Sequence, residues 1–125
     1  MVDFPKLGRS FRFAFAGLVY VVRNEQNMRI HLAISTAVIL AGWYFRISQF
    51  EWIAVVLCMG AVLGAEAVNS AIERLADRVT GDQDSLIRIA KDAAAGGVLT
   101  LAVASFVIGA IIFLPRILGL LQSLG

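Results

Sequence analysis

AAAGGVLTLAVASFVIGAIIFLP, residues 93–115, carries no charged side chain and lies between Asp92 and Arg116. A helix crosses a hydrocarbon core about 30 Å thick with roughly 20 residues at about 1.5 Å each, so this run is long enough unaided. It also lacks the polar face that a helix keeps in a water-soluble bundle. Two shorter charge-free runs precede it, 30–45 between Arg29 and Arg46, and 52–65 between Glu51 and Glu66. The first gains length if its flanking arginines snorkel outward. The second spans only if its helix continues past Glu66 and through Asn69, which leaves a carboxylate at or just inside the lipid boundary. The expected spans are therefore about 28–46, 50–72 and 92–115, in one membrane-embedded unit covering 1–125.

Composition agrees. The chain is 59% apolar and 16% charged, with a mean hydropathy of +0.81, whereas a soluble domain carries about a quarter charged residues. A net charge of +2 with no dense basic stripe excludes nucleic acid as the main partner. Cys58 stands alone, which rules out an internal disulfide and a cysteine-rich metal site. No short apolar core with a small-residue cleavage site follows the basic N-terminus, so no cleaved signal peptide is expected.

Lysine and arginine placement orients the spans. Lys6, Arg9, Arg12, Arg23 and Arg29 precede the first span, and Arg74, Arg78, Arg88 and Lys91 lie between the second and third; the opposite side has Arg46 and Arg116. The positive-inside rule puts the N-terminus and the 74–91 segment in the cytoplasm and the C-terminus outside. Trp43, Tyr44, Phe45 and Trp52 cluster at the outer turn, as an interfacial aromatic belt does. Residues 4–22 read as an amphipathic surface helix: Phe11, Phe15, Leu18 and Val22 recur at helical spacing among Lys6, Arg9 and Arg12. The polar stretch Arg23-Asn24-Glu25-Gln26-Asn27 separates it from the first span. The fold expected is an all-α membrane protein with three transmembrane helices and an N-terminal surface helix.

Chemistry concentrates in residues 64–77. At about 100° per residue, Asn69, Glu73 and Asp77 fall on one stripe with Glu66, and Ser70 lies beside it. A carboxylate near lipid is costly, and three acids on a stripe repel, so a cation is required: Arg or Lys from neighbouring helices, or a metal ion. The bland alternative is a solvated helix end, with Glu73 and Arg74, and Asp77 and Arg78, as ordinary surface charges. Glu25 lies at the same boundary, where its bland partner is Arg29 at i, i+4. After the turn 80–85, with Asp84 or Ser85 as N-cap, the third helix carries Lys91 and Asp92 into lipid. Carboxylates beside a lysine suit Mg²⁺ with a polyphosphate, since Mg²⁺ takes one or two carboxylates together with phosphate oxygens and waters. Glu25 and Glu73 are the metal candidates. Glu66 is placed to act as base on a lipid hydroxyl, because a partly desolvated carboxylate holds a proton more readily. No Walker-type or kinase glycine loop is present.

The string EAVNSAIERLADRV at 66–79, followed by a short polar loop and AKDAAAG at 90–96, resembles the signature of the prokaryotic integral-membrane lipid kinases. That family includes diacylglycerol kinases and undecaprenol kinases. RNEQNMRIHL at 23–32 is similar to the family's first acidic site, and the likeness runs from about Phe11 to Pro115. The resemblance implies a homotrimer in the bacterial inner membrane, with Mg²⁺-ATP as donor and a lipid alcohol as acceptor. By the same likeness Glu66 matches the catalytic base, and Glu25 and Glu73 the metal-binding glutamates. Asn69, Asp77, Lys91 and Asp92 match nucleotide-site positions, with Asp82 and Asp84 in the nucleotide-contacting loop. Lys6 stands where an arginine helps bind ATP, and Phe13 where some members have tyrosine. Many members have histidine near Asp84.

The RNEQNMRIHL segment with His31, the AKDAAAG form and the FLP ending at 113–115 look more like the undecaprenol branch; diacylglycerol kinases tend to have glutamate at the position of His31. An interfacial histidine without a selective role is the alternative for His31. A different class of function, a membrane scaffold or an ion-coupled carrier, would use the acidic strip for cation passage, and the small residues at 93–97 allow close helix approach in either case.

Overall fold

The computed structural model describes residues 1–81 and 83–125, with Asp82 outside the described residues. Four helices follow in order: α1 Phe4–Asn24, α2 Gln26–Phe45, α3 Gln49–Val79 and α4 Ser85–Leu124. The last three are each long and apolar enough to cross a membrane, and at most 28% of the most apolar stretch of any of them is covered by the chain itself. The remaining apolar surface must meet lipid or other protein. α3 packs most extensively on α4 and next on α2, while α1 leans lightly on α2 and α3.

Each junction has a local cause. Glu25 breaks α1 from α2 with an extended backbone (φ −109°, ψ 120°), inside the polar stretch. The end of α1 is closed by side chains: Asn24 Nδ2 donates to the Tyr20 carbonyl, and Arg29 Nη1 donates to the carbonyls of Val22 and Arg23 at 3.2 and 2.9 Å. Arg29 therefore serves the orphaned carbonyls of a helix terminus, not Glu25. At the α2–α3 turn, Arg46 takes the left-handed conformation (φ 51°, ψ 54°) and lets Ile47 N–H reach the Gly42 carbonyl at 3.1 Å. Ser48 and Glu51 then form a reciprocal capping box, with bonds of 2.9 and 3.2 Å. Asp84 caps α4 by accepting from the Leu86 and Ile87 amides.

The apolar core sits beside the α2–α3 turn. Ile47, Val55, Ile112 and Phe113 are buried together, with Trp52, Phe45 and Val38 packed around them. Gly42 is required there: a Cβ at this position would lie 2.7 Å from the Trp52 ring. The charge-free run ends at Pro115, but the helix does not: α4 continues through it to Leu124. Proline removes one backbone donor. The next residue holds the helix in place, as the Arg116 guanidinium donates to both Glu51 carboxylate oxygens at 2.8 Å and to the Ile112 carbonyl.

Candidate active site

The polar strip of α3 is a continuation of that helix's inner face. Its buried residues are Val55, Val62, Glu66, Asn69, Ser70 and Ala76, so a stripe that begins apolar turns polar at Glu66 without leaving the packed side. Glu66 is 3% exposed, Asn69 6% and Ser70 2%. Asn69 Oδ1 and Ser70 Oγ are buried without a hydrogen-bond partner among the described residues. Buried polar atoms are normally satisfied; two orphans side by side make this the least satisfied part of the described residues.

Glu66 lies within electrostatic reach of Glu25, Glu73 and His31, which puts the α1–α2 break near the polar strip of α3. Glu25 and Glu73 are both half-buried. Two of these acids, Glu25 and Asp77, have a protein cation beside them. Arg74 Nη2 donates to Glu25 Oε1 at 2.8 Å, with its guanidinium 5.3 Å from the centre of the Tyr20 ring. Lys91 Nζ donates to Asp77 Oδ1 at 2.8 Å. These pairings replace the bland ones: Arg74 reaches Glu25 across the helix junction, and Asp77 reaches Lys91 on α4. Among the described residues, no three His, Cys, Asp or Glu side chains are gathered closely enough to hold a metal ion by themselves. A cation here would need oxygens from a bound partner.

A cleft of about 570 Å³ opens at the α3–α4 turn, lined by Asp77, Asp84 and Lys91 together with Thr80, Gln83 and Arg88. Three of the sequence-derived nucleotide residues thus share one wall. Asp92 is exposed one residue beyond Lys91 and does not line it. Lys6 sits in the first turn of α1, where its backbone N–H is capped by Asp3, and is also outside the cleft. Phe13 is exposed beside Arg12, whose guanidinium lies 5.5 Å from the ring centre. Asp82, in the same turn of the sequence, lies outside the described residues.

Residues 12–113 match the prokaryotic diacylglycerol kinase family. The chain belongs to that family. It is 38% identical over 109 residues to the undecaprenol kinase of Bacillus subtilis, an alignment covering 87% of this chain and 89% of the relative. It is 36% identical over 118 residues to the diacylglycerol kinase of a Synechocystis species, covering 94% and 67% respectively. The protein is a lipid kinase, and three apolar helices in such a family make it a multi-pass membrane protein.

For a kinase of this kind, sequence reasoning passed over three side chains. Ser70 was set beside the strip, yet it is among the most buried residues of the chain; a lone hydroxyl among Ala67, Val68 and Ala71 was the signal. Arg74 has Glu73 as its neighbour in the bland alternative alone, and its partner lies 49 residues away. Arg88 joins Lys91 in the cleft, one helical turn earlier, at a spacing that puts both on one face.

Proposed function

We propose that this kinase transfers the γ-phosphoryl group of ATP to the hydroxyl of a lipid alcohol, with undecaprenol as the preferred acceptor and undecaprenyl phosphate as product. The observation that carries this reading is the buried end of α3, where Glu66 and Asn69 face inward at the level where an apolar helix surface becomes polar. A water-poor carboxylate at that level suits a base acting on an alcohol that arrives from the bilayer. Glu66 takes the hydroxyl proton as the alcohol oxygen bonds to the γ-phosphorus and the bond to the ADP oxygen breaks. Phosphoryl transfer depends chiefly on positioning and charge neutralisation, and Lys91 with Arg88 supplies positive charge along the turn cleft.

The donor set fits Mg²⁺. Glu25 and Glu73 offer hard carboxylate oxygens, Asn69 Oδ1 is an oxygen with no partner among the described residues, and Mg²⁺ asks for few protein ligands. Glu25 and Glu73 would hold the ion, with Arg74 giving up Glu25. Bound there, Mg²⁺ neutralises phosphate charge.

The rest of the reading concerns the assembly. Nine of the 11 Lys and Arg residues fall on the side of the strip, which supports a cytoplasmic N-terminus and active site, an external C-terminus, and location in the bacterial inner membrane. Exposed Phe11, Phe15 and Leu18 on α1 support its lying on the inner leaflet. The bare apolar faces support a homotrimer.

The similarity to a diacylglycerol kinase keeps that lipid as the second candidate acceptor. Purified protein in detergent with Mg²⁺-ATP and each lipid in turn, its products separated by thin-layer chromatography, is expected to phosphorylate undecaprenol faster. A faster rate on diacylglycerol reverses the acceptor assignment. No phosphorylated lipid from either removes the kinase mechanism and leaves the carrier class.

A further inference from the structure

Arg74 stands on one of the two glutamates proposed above to hold the metal ion. It follows Glu73 directly on α3, yet it reaches across the helix junction, placing Nη2 2.8 Å from Glu25 Oε1. The two ends of the pair differ in their surroundings: the Arg74 side chain is 51% exposed and that of Glu25 21%. The guanidinium also lies 5.3 Å from the centre of the Tyr20 ring on α1. That cation–π contact is a second seat for the charge, and it does not depend on Glu25. With Arg74 so placed, no three His, Cys, Asp or Glu side chains among the described residues gather closely enough to hold an ion. Glu25 is thus already neutralised, by a long and half-exposed side chain with somewhere else to sit.

A positive charge beside a metal-binding carboxylate treats two forms of the same ion differently. A bare divalent cation is repelled by it and must expel it to reach Glu25. An ion already bound to ATP belongs to a complex of net negative charge, which the same guanidinium attracts. We propose that Arg74 is a specificity-determining residue: it holds Glu25 against bare divalent cations and releases it to a cation that arrives on a polyphosphate. This rests on the metal role given above to Glu25 and adds what decides when that carboxylate is open. Partial exposure is what makes the exchange feasible, since an exposed pair is weak, whereas a fully buried one would lock the carboxylate in place. Released from Glu25, the guanidinium keeps the Tyr20 ring, so its charge stays at the helix junction.

The test is binding of Mn²⁺, which shares the oxygen preference of Mg²⁺, to the full chain in detergent without nucleotide, read from the paramagnetic resonance signal of the free ion. Removing the competing charge is expected to tighten Mn²⁺ binding by about three- to tenfold in Arg74→Met and in Arg74→Gln. Arg74→Lys keeps the charge and holds the wild-type affinity. In the lipid phosphorylation assay with saturating Mg²⁺, the two neutral variants raise the ATP KM by about two- to fivefold, because the attraction for the complex is lost. Unchanged or weaker Mn²⁺ binding in both neutral variants, the same tightening in Arg74→Lys, or an ATP KM that does not rise overturns the proposal. Adding Glu25→Gln to Arg74→Met is expected to abolish the tightened binding. Tight binding that survives the double change overturns the metal role of Glu25 as well.

Discussion

The two ends of the α3–α4 pair are built to opposite rules. At the end beside Arg46, the polar groups answer one another: Ser48 and Glu51 cap reciprocally, Arg116 takes both oxygens of Glu51, and Trp52 packs flush against Gly42. At the other end, Glu66, Asn69 and Ser70 are buried, with Asn69 Oδ1 and Ser70 Oγ unpaired among the described residues, and the charged residues nearby meet in partly exposed pairs. Satisfied polar networks fix a conformation, whereas unsatisfied ones cost stability. The difference teaches where the molecule is a scaffold and where it is a tool: unmet bonding capacity inside a protein is tolerated where a substrate will meet it.

The sharpest way to break that contrast is Glu66→Gln. Removing a general base costs about 10²- to 10⁴-fold in rate, so turnover is expected to fall by that much while the unfolding midpoint in detergent holds. An active, stable Gln variant would show that the least satisfied end is not where the chemistry happens. The reciprocal change is Gly42→Ala at the satisfied end. With the new Cβ 2.7 Å from the Trp52 ring, overpacking is expected to cost about 1–3 kcal/mol, read as a lower midpoint with kcat preserved in the folded fraction.

Lys91→Met sharpens the comparison further. Asp77, the partner of Lys91, is 67% exposed at its side chain, so stability should scarcely move, as is usual for surface pairs. Loss of a charge-assisted contact to phosphate is expected to raise the ATP KM by about tenfold, and an unchanged KM would remove Lys91 from the nucleotide site. The smallest effect belongs to Arg46→Gly. Arg46 is the one non-glycine residue with positive φ among the described residues, and glycine relieves that conformation, adding about 0.5–1 kcal/mol in chemical unfolding.

Much of this was legible from the chain, and the reasons are physical. Charge-free runs of different length announced the apolar helices, and the polar stretch around Glu25 announced the break between α1 and α2. The stripe from Glu66 to Asp77 could be drawn from the helical period alone. What periodicity cannot supply is the direction a stripe faces, and so the burial of Ser70 emerged only in three dimensions. Nor can it supply partners distant along the chain: Arg116 finds Glu51 across 65 residues and Arg74 finds Glu25 across 49. Local rules favoured nearer pairings, and tertiary packing overrode them. α4 likewise runs on through Pro115, since a break in the backbone ladder is tolerated where neighbouring groups brace the helix.

α4 has a consequence of its own. Its 40 residues extend about 60 Å at about 1.5 Å each, twice the depth of an oily slab about 30 Å thick. Such a rod must lean or jut from the bilayer, and hydrophobic mismatch sets the balance. Because Lys91 rides near its start and Arg116 near its finish, a thicker or thinner membrane pulls on a single rigid lever joined to both ends of the molecule.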